Sequence, residues 1–253
     1  MFKHFPTLMD RPDTGNVIAA LIYEVIAFFS LPFLLLLILQ GSTDNAKVVA
    51  AIEIFYHVIN FAVALTIFRE YLSEAAIGLW QSLKAMAATI WTSVGLIFIV
   101  ALVLYNLFSS SYSILHLSAV GALPLTEVEL FMLSQGVVLT YPSLGTLCMV
   151  VLAPIAVGCL YYGAVFAPVC YTKPILAYVA MAAFLVFPRY CNAATYWHPT
   201  EQMILLATQL PLHLIACRAY QKTDSILAPI AIHAIVNLIS CLMLLFFSFL
   251  GRI

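Results

Sequence analysis

Long apolar runs separated by short polar stretches are the dominant pattern of this chain. About 20 consecutive apolar residues are needed for a helix to cross a bilayer, so runs of that length predict membrane-crossing helices. The long runs are residues 17–39, 47–68, 85–108, 143–169, 201–220 and 226–250, and residues 174–187 form a short one. The pattern therefore predicts an all-α polytopic membrane protein with about seven transmembrane helices.

The segments between these runs hold most of the polar residues. Residues 69–84 mix charged and apolar side chains, which predicts a segment lying at the membrane interface. Residues 109–142 contain no Lys or Arg and predict an exposed loop with a short surface helix that starts near Thr126. Residues 188–200 are polar and aromatic, which is typical of a loop at the level of the lipid headgroups.

Composition and charge narrow the class of protein further. Hydrophobic residues make up 64% of the chain and charged residues 8%, against about 45–50% and about 25% in soluble domains. The formal net charge of −1 offers no basic field for nucleic acid. Seven of the ten Lys and Arg residues fall on the side of the N-terminus when the seven runs are threaded through a bilayer. This bias predicts a cytoplasmic N-terminus.

Ionisable residues inside the runs are candidates for function, since each costs on the order of 2.5–3.5 kcal/mol at the bilayer centre. They are Glu24, Glu53, His57, His213 and His233. Glu53 and His57 are four residues apart and share a helix face, where they could hold a metal, relay protons or simply pack helices as a neutral pair. His213 follows a proline and is interpreted as a core or interfacial histidine. Glu53, His57 and His213 form a possible secondary polar site.

The last run carries the most specific motif. Residues 219–230 are followed by His233 and Asn237, a pair spaced to share one helix face. Over residues 152–240 the chain resembles the CAAX-protease and bacteriocin-processing family (the CPBP or Abi group of type II CAAX prenyl endopeptidases). The resemblance implies a CPBP/Abi-like helical core in residues 143–253, behind N-terminal transmembrane helices and a loop in residues 1–142. It also implies the cytoplasmic membrane of a prokaryote.

Two of the three motifs of that family are degenerate in this chain. The family's Glu-Glu-x-x-x-Arg pattern falls on Val157, Gly158 and Tyr162, within a run that keeps the surrounding small residues. The family's Phe-x-x-x-His pattern ends on Pro188 instead of histidine. By the resemblance, the first glutamate activates water with help from that histidine. Valine, glycine and proline side chains cannot accept a proton or bind a metal.

His233 and Asn237 are the retained pair. By the resemblance, such a pair stabilises the oxyanion. General-base catalysis contributes about 10²–10⁴ in rate, so a chain without the base is expected to be inactive. We therefore expect a pseudoprotease without cofactor, acting as a membrane scaffold or binding subunit for a partner protein, a lipid or a lipidated peptide. The first alternative is an active, zinc-dependent intramembrane protease that uses non-standard residues and serves CAAX processing, bacteriocin processing or immunity. The second alternative is a transporter or channel subunit. The alignment predicts that His233 faces Val157 and Pro188 across a shared cavity.

Overall fold

The computed structural model describes residues 12–38, 46–77, 79–116, 136–196 and 199–250, and every regular element among them is helical. The helices are α1 (Thr14–Ile38), α2 (Ala46–Ile67), α3 (Arg69–Ala76), α4 (Leu79–His116), α5 (Gly136–Thr140), α6 (Pro142–Leu147), α7 (Ala153–Val157), α8 (Ala167–Cys170), α9 (Pro174–Tyr196), α10 (Pro199–Thr223) and α11 (Leu227–Phe249). Two π-helical segments, π1 (Cys148–Leu152) and π2 (Gly158–Phe166), join α6, α7 and α8 end to end.

Four segments of the described residues are long and apolar enough to cross a membrane. They are Ala50–Ile67, Leu79–Leu104, Pro142–Cys170 and Leu227–Phe246, and the shorter apolar helices Thr14–Ala27 and Pro174–Leu185 accompany them. Large apolar side chains such as Trp91 and Leu102 are more than half exposed on α4, as expected for a face that meets lipid. Length and composition therefore support an all-α integral membrane protein, the class that the sequence predicts.

The segment Pro142–Cys170, here called the central helix, is the most enclosed of the four, with half of its residues buried. It packs against α1, α2, α9 and α11. The largest buried side chains of its second half, Tyr162 and Phe166, lie in one core with Phe68, which follows α2, and Met181 of α9. Because π-helical turns are wider than α-helical ones, π1 and π2 change which side chains face these neighbours.

Gly158 explains how closely the central helix approaches α11. A Cβ atom added at Gly158 would overlap the side chain of Ile230. Small residues allow membrane helices to approach at the backbone, so the glycine brings the first turns of α11 against π2. A second core, formed by side chains such as Met86, Leu212 and Ile232, packs α4 and α10 against α11. Together these contacts place α11 between the central helix and α10.

The predicted limits of two loops are wrong, because helices continue into them. Residues 109–116 continue α4, and residues 188–196 continue α9 through Pro188. The third span also begins earlier, at Leu79. Backbone groups near lipid must be hydrogen-bonded internally, so a helix persists beyond the end of its apolar run, and neighbouring helices tolerate proline. The surface helix predicted near Thr126 lies outside the described residues.

Candidate functional site

Three polar side chains from different elements meet in the interior and form what we call the Tyr–His–His cluster. The hydroxyl oxygen of Tyr162 (π2) lies 2.9 Å from Nδ1 of His213 (α10) and 2.7 Å from Nε2 of His233 (α11). The two imidazole rings are in contact, with centroids 4.8 Å apart. All three residues are buried, with exposed fractions of 0%, 4% and 6%. The cluster is thus a closed hydrogen-bonded group inside the bundle.

The chemistry of the tyrosine hydroxyl restricts how this cluster is protonated. A hydroxyl has one hydrogen to donate and two lone pairs to accept with. Tyr162 can donate to only one of the two facing nitrogens, so at least one of them carries a hydrogen and donates it to the tyrosine oxygen. The tautomers of His213 and His233 are therefore linked, because Nδ1 of the first and Nε2 of the second cannot both be bare. In a low-dielectric interior such a chain is stronger than its separate bonds in water.

Aromatic rings cover the cluster. Tyr161 stacks on His213, with ring centroids 5.9 Å apart and an interplanar angle of 25°. The same tyrosine meets Phe184 of α9 edge to face at 5.4 Å. Tyr162 itself stacks on His213 and meets His233 edge to face. These contacts surround the hydrogen-bonded atoms with aromatic rings.

Asn237 lies one turn after His233 on the same face of α11, as the spacing predicts. Its side-chain nitrogen donates a hydrogen bond of 2.7 Å to the backbone carbonyl oxygen of Met149 in π1. A π-helical turn interrupts the regular helical ladder, and the asparagine amide supplies a donor there. The amide nitrogen carries two hydrogens, and this bond uses one of its two donors.

The residues at the degenerate motif positions lie in different parts of the structure. Val157 lines a cavity on the side of α1 and α2, Gly158 packs against Ile230, and Tyr162 belongs to the cluster. Pro188 lies within α9, and its side chain is outside the described residues. The cavity predicted between His233 and Val157 stays a prediction: His233 contacts Tyr162 and His213, and Val157 lines the cavity on the side of α1 and α2.

The cavity beside Val157, here called the Glu24 cavity, has a volume of about 220 Å³ and lies between α1, α2, α9 and the central helix. Its lining residues are Glu24, Tyr56, His57, Asn60, Ala153, Ala156, Val157, Leu160, Tyr161 and Leu185. Asn60 is held in place by the hydroxyl of Tyr23, which donates to its Oδ1 at 2.5 Å. The sequence singles out Glu24 and His57, and the fold brings them to this one cavity.

Glu53 and His57 share a face of α2, as their spacing predicts, with 3.9 Å between Oε1 and Nε2. This separation is too long for a hydrogen bond, and it is an ion pair only when the histidine is protonated. The pair lies away from His233, since His57 lines the Glu24 cavity while His233 lies in the cluster. Within the described part of the chain, no three His, Cys, Asp or Glu side chains are grouped as metal ligands.

Zinc, which the resemblance implies for an active protease, needs three or four nitrogen, sulfur or oxygen ligands around one point. His213 and His233 instead direct ring nitrogens at the hydroxyl of Tyr162, at hydrogen-bond distance. No third ligand of the usual type joins them within the described residues. The described residues of the cluster therefore do not fit a zinc site.

Sequence reasoning missed the role of Tyr162, which it treats only as a replacement for arginine. It also missed Tyr56, Asn60 and Tyr161 as lining residues of the cavity. A usable signal was present, because tyrosine is typical of membrane interfaces, whereas Tyr161 and Tyr162 lie well inside a long apolar run.

Comparisons of the chain with protein-family models, with curated proteins and with solved structures found no match. The geometry of the described residues is therefore what a functional proposal depends on.

Proposed function

We propose that this chain is a non-proteolytic membrane protein, a scaffold or binding subunit for a partner protein, a lipid or a lipidated peptide. The observation that carries the proposal is the engagement of Tyr162 with both histidines, at 2.9 and 2.7 Å. Asn237 is engaged in the same way with a backbone carbonyl. The groups that would serve a hydrolytic reaction are instead used to hold the central helix, α10 and α11 together.

The energetic argument favours a structural role for His233. Leaving a buried hydrogen-bonding group without its partner costs about 1–3 kcal/mol, so a substrate would have to displace Tyr162 at that cost. Oxyanion donors contribute about 10²–10³ in rate each, but only when a nucleophile attacks. Val157 and Gly158 cannot activate one.

The finer features of this proposal follow from the sequence and the helix lengths. We propose that α1, α9 and α10, of 25, 23 and 25 residues, cross the membrane along with the four apolar segments, giving seven spans. The N-terminus then lies in the cytoplasm of a prokaryotic cell, and residues 143–253 form a degenerate CPBP/Abi-type core. Accessibility labelling of single cysteines on each side of the membrane tests this topology.

The proposed function is tested with the purified full chain in lipid nanodiscs. A prenylated CAAX peptide and a bacteriocin-leader peptide are incubated with it, with added zinc and with a chelator. We expect no cleavage in either condition, and we expect His233→Ala to weaken folding and assembly only. Zinc-dependent cleavage that disappears in His233→Ala would overturn the proposal and favour the active protease.

A transporter or channel subunit is the second candidate, and the Glu24 cavity favours it. Glu24 and His57 lie near the middle of α1 and α2, and substrate sites of secondary transporters also lie near the bilayer midplane. Flux measured in proteoliposomes and abolished by Glu24→Gln would support this role over the scaffold. His233→Ala is the matched control, because it changes the cluster and leaves the cavity carboxyl in place.

A further inference from the structure

The carboxyl group of Glu24 is buried and faces open space. The residue is 5% exposed and lines the Glu24 cavity. Among the described residues, no side chain or backbone group forms a hydrogen bond or an ion pair with this carboxyl. An ionised carboxylate near the bilayer centre costs on the order of 2.5–3.5 kcal/mol unless a positive charge or hydrogen-bond donors compensate it.

Among the described side chains, none that lines the cavity supplies a fixed positive charge. No lysine or arginine is found among these lining residues, and their one histidine, His57, lies 3.9 Å from Glu53. Glu24 is ten residues from the first residue of α1, which corresponds to about 15 Å along the helix. The described lining therefore leaves room for a ligand that enters the interior to supply this charge.

The rest of the lining indicates which kind of cation fits. The rings of Tyr56 and Tyr161 are suited to cation–π contact with an ammonium group. The remaining surface is apolar except for Asn60 and His57, with Ala156 and Val157 among the lining residues. Ca²⁺ and Mg²⁺ prefer a shell of six or more oxygen ligands, which the described lining does not offer. Zinc prefers three or four nitrogen, sulfur or oxygen ligands, and no three His, Cys, Asp or Glu side chains are grouped within the described residues. The volume of about 220 Å³ is below the roughly 300–1,000 Å³ of pockets for drug-sized molecules, so the ligand is small.

We propose that the Glu24 cavity binds a small organic ammonium ion, with the Glu24 carboxylate opposite its charge and the rings of Tyr56 and Tyr161 against its carbon atoms. This site is distinct from the Tyr–His–His cluster. A bound ammonium ion is compatible with a scaffold and with a transporter, so the proposal goes beyond the function of the chain and does not depend on it.

The test uses the full chain in lipid nanodiscs and tetramethylammonium chloride as the probe. Thermal unfolding and calorimetric titration are measured against sodium chloride at equal ionic strength. We expect saturable binding and a rise in the unfolding midpoint with tetramethylammonium only. Glu24→Gln keeps the shape of the side chain and removes its charge, and it should weaken binding by about ten-fold or more, as expected for the loss of one charged contact.

Two further variants separate the site from general effects. Glu70→Gln removes an exposed carboxylate on α3 and should leave binding unchanged. Val157→Leu keeps Glu24 but enlarges an apolar lining residue, so it should weaken binding even if Glu24→Gln folds poorly. The proposal is overturned if tetramethylammonium does not bind, if sodium stabilises the protein equally, or if neither cavity variant changes the affinity.

Discussion

Replacing Tyr162 by phenylalanine removes one oxygen atom from the interior and, with it, both hydrogen bonds of the Tyr–His–His cluster. Side-chain hydrogen bonds between membrane helices contribute about 0.6 kcal/mol on average and up to about 1.7 kcal/mol. The loss of two such bonds should therefore lower the unfolding free energy by about 1–3 kcal/mol. The upper half of this range is expected, because Tyr162 is fully buried and both histidines lose a buried partner.

The measurement is the free energy of unfolding in mixed micelles titrated with a denaturing detergent. Tyr141→Phe is the matched control, since Tyr141 is 37% exposed at the start of α6. Its unfolding free energy should stay within about 0.5 kcal/mol of the parent. A double-mutant cycle with His233→Leu should show positive coupling, because the hydroxyl is worth less once one of its partners is gone.

Two results would refute this reasoning. An unfolding free energy of Tyr162→Phe indistinguishable from that of Tyr141→Phe would mean that the two short contacts add nothing to stability. Strict additivity of Tyr162→Phe and His233→Leu would mean that the hydroxyl is not shared between the two helices.

The other predictions concern packing, capping and pH. Gly158→Ala should lower the unfolding free energy by about 1–3 kcal/mol, because the new methyl group overlaps Ile230. Gly95→Ala is the control: nothing lies within 4 Å of its new methyl group, so it should be neutral or stabilising by up to about 1 kcal/mol. Equal unfolding free energies of the two variants would contradict the close approach of α11. Asn237→Ala should lower the unfolding free energy by about 1–2 kcal/mol and speed amide hydrogen exchange in π1, because it removes the bond to Met149. Unchanged exchange in π1 would contradict a stabilising role of Asn237 there. Outside the membrane, burial and then a hydrogen bond to Asp224 raise the pKa of Tyr171 above its usual value. Folding favours the neutral hydroxyl of Tyr171. Its contribution to the unfolding free energy is therefore complete below the unfolded-state pKa of about 10 and decreases as the pH rises above that value. Tyr171→Phe should therefore flatten the loss of stability above about pH 10, and an unchanged pH profile would count against this bond.

The sequence predicted the helical class because each long apolar run can satisfy its backbone in lipid only as a helix. It also placed His233 and Asn237 on one face of α11, since that spacing is a local property of any helix. The ends of α4 and α9 were less predictable. Polar residues beyond position 108 and Pro188 resemble loop signals, yet the helices continue through them.

The Tyr–His–His cluster could not be predicted from local pattern. Tyr162 is 51 residues from His213 and 71 residues from His233, so their contact depends on how three helices pack. Glu24 and His57 were each conspicuous as ionisable residues in apolar runs, but their common cavity depends on the packing of α1 against α2. The π-helical turns that orient Tyr162 have no compositional signature, which is why the site was found only in three dimensions.

Tyr161 gives the two polar regions a shared partition one ring thick. It lines the Glu24 cavity and also stacks on His213. One aromatic side chain therefore borders both polar regions, and any movement of its ring changes the lining of the cavity and the stacking on the imidazole together.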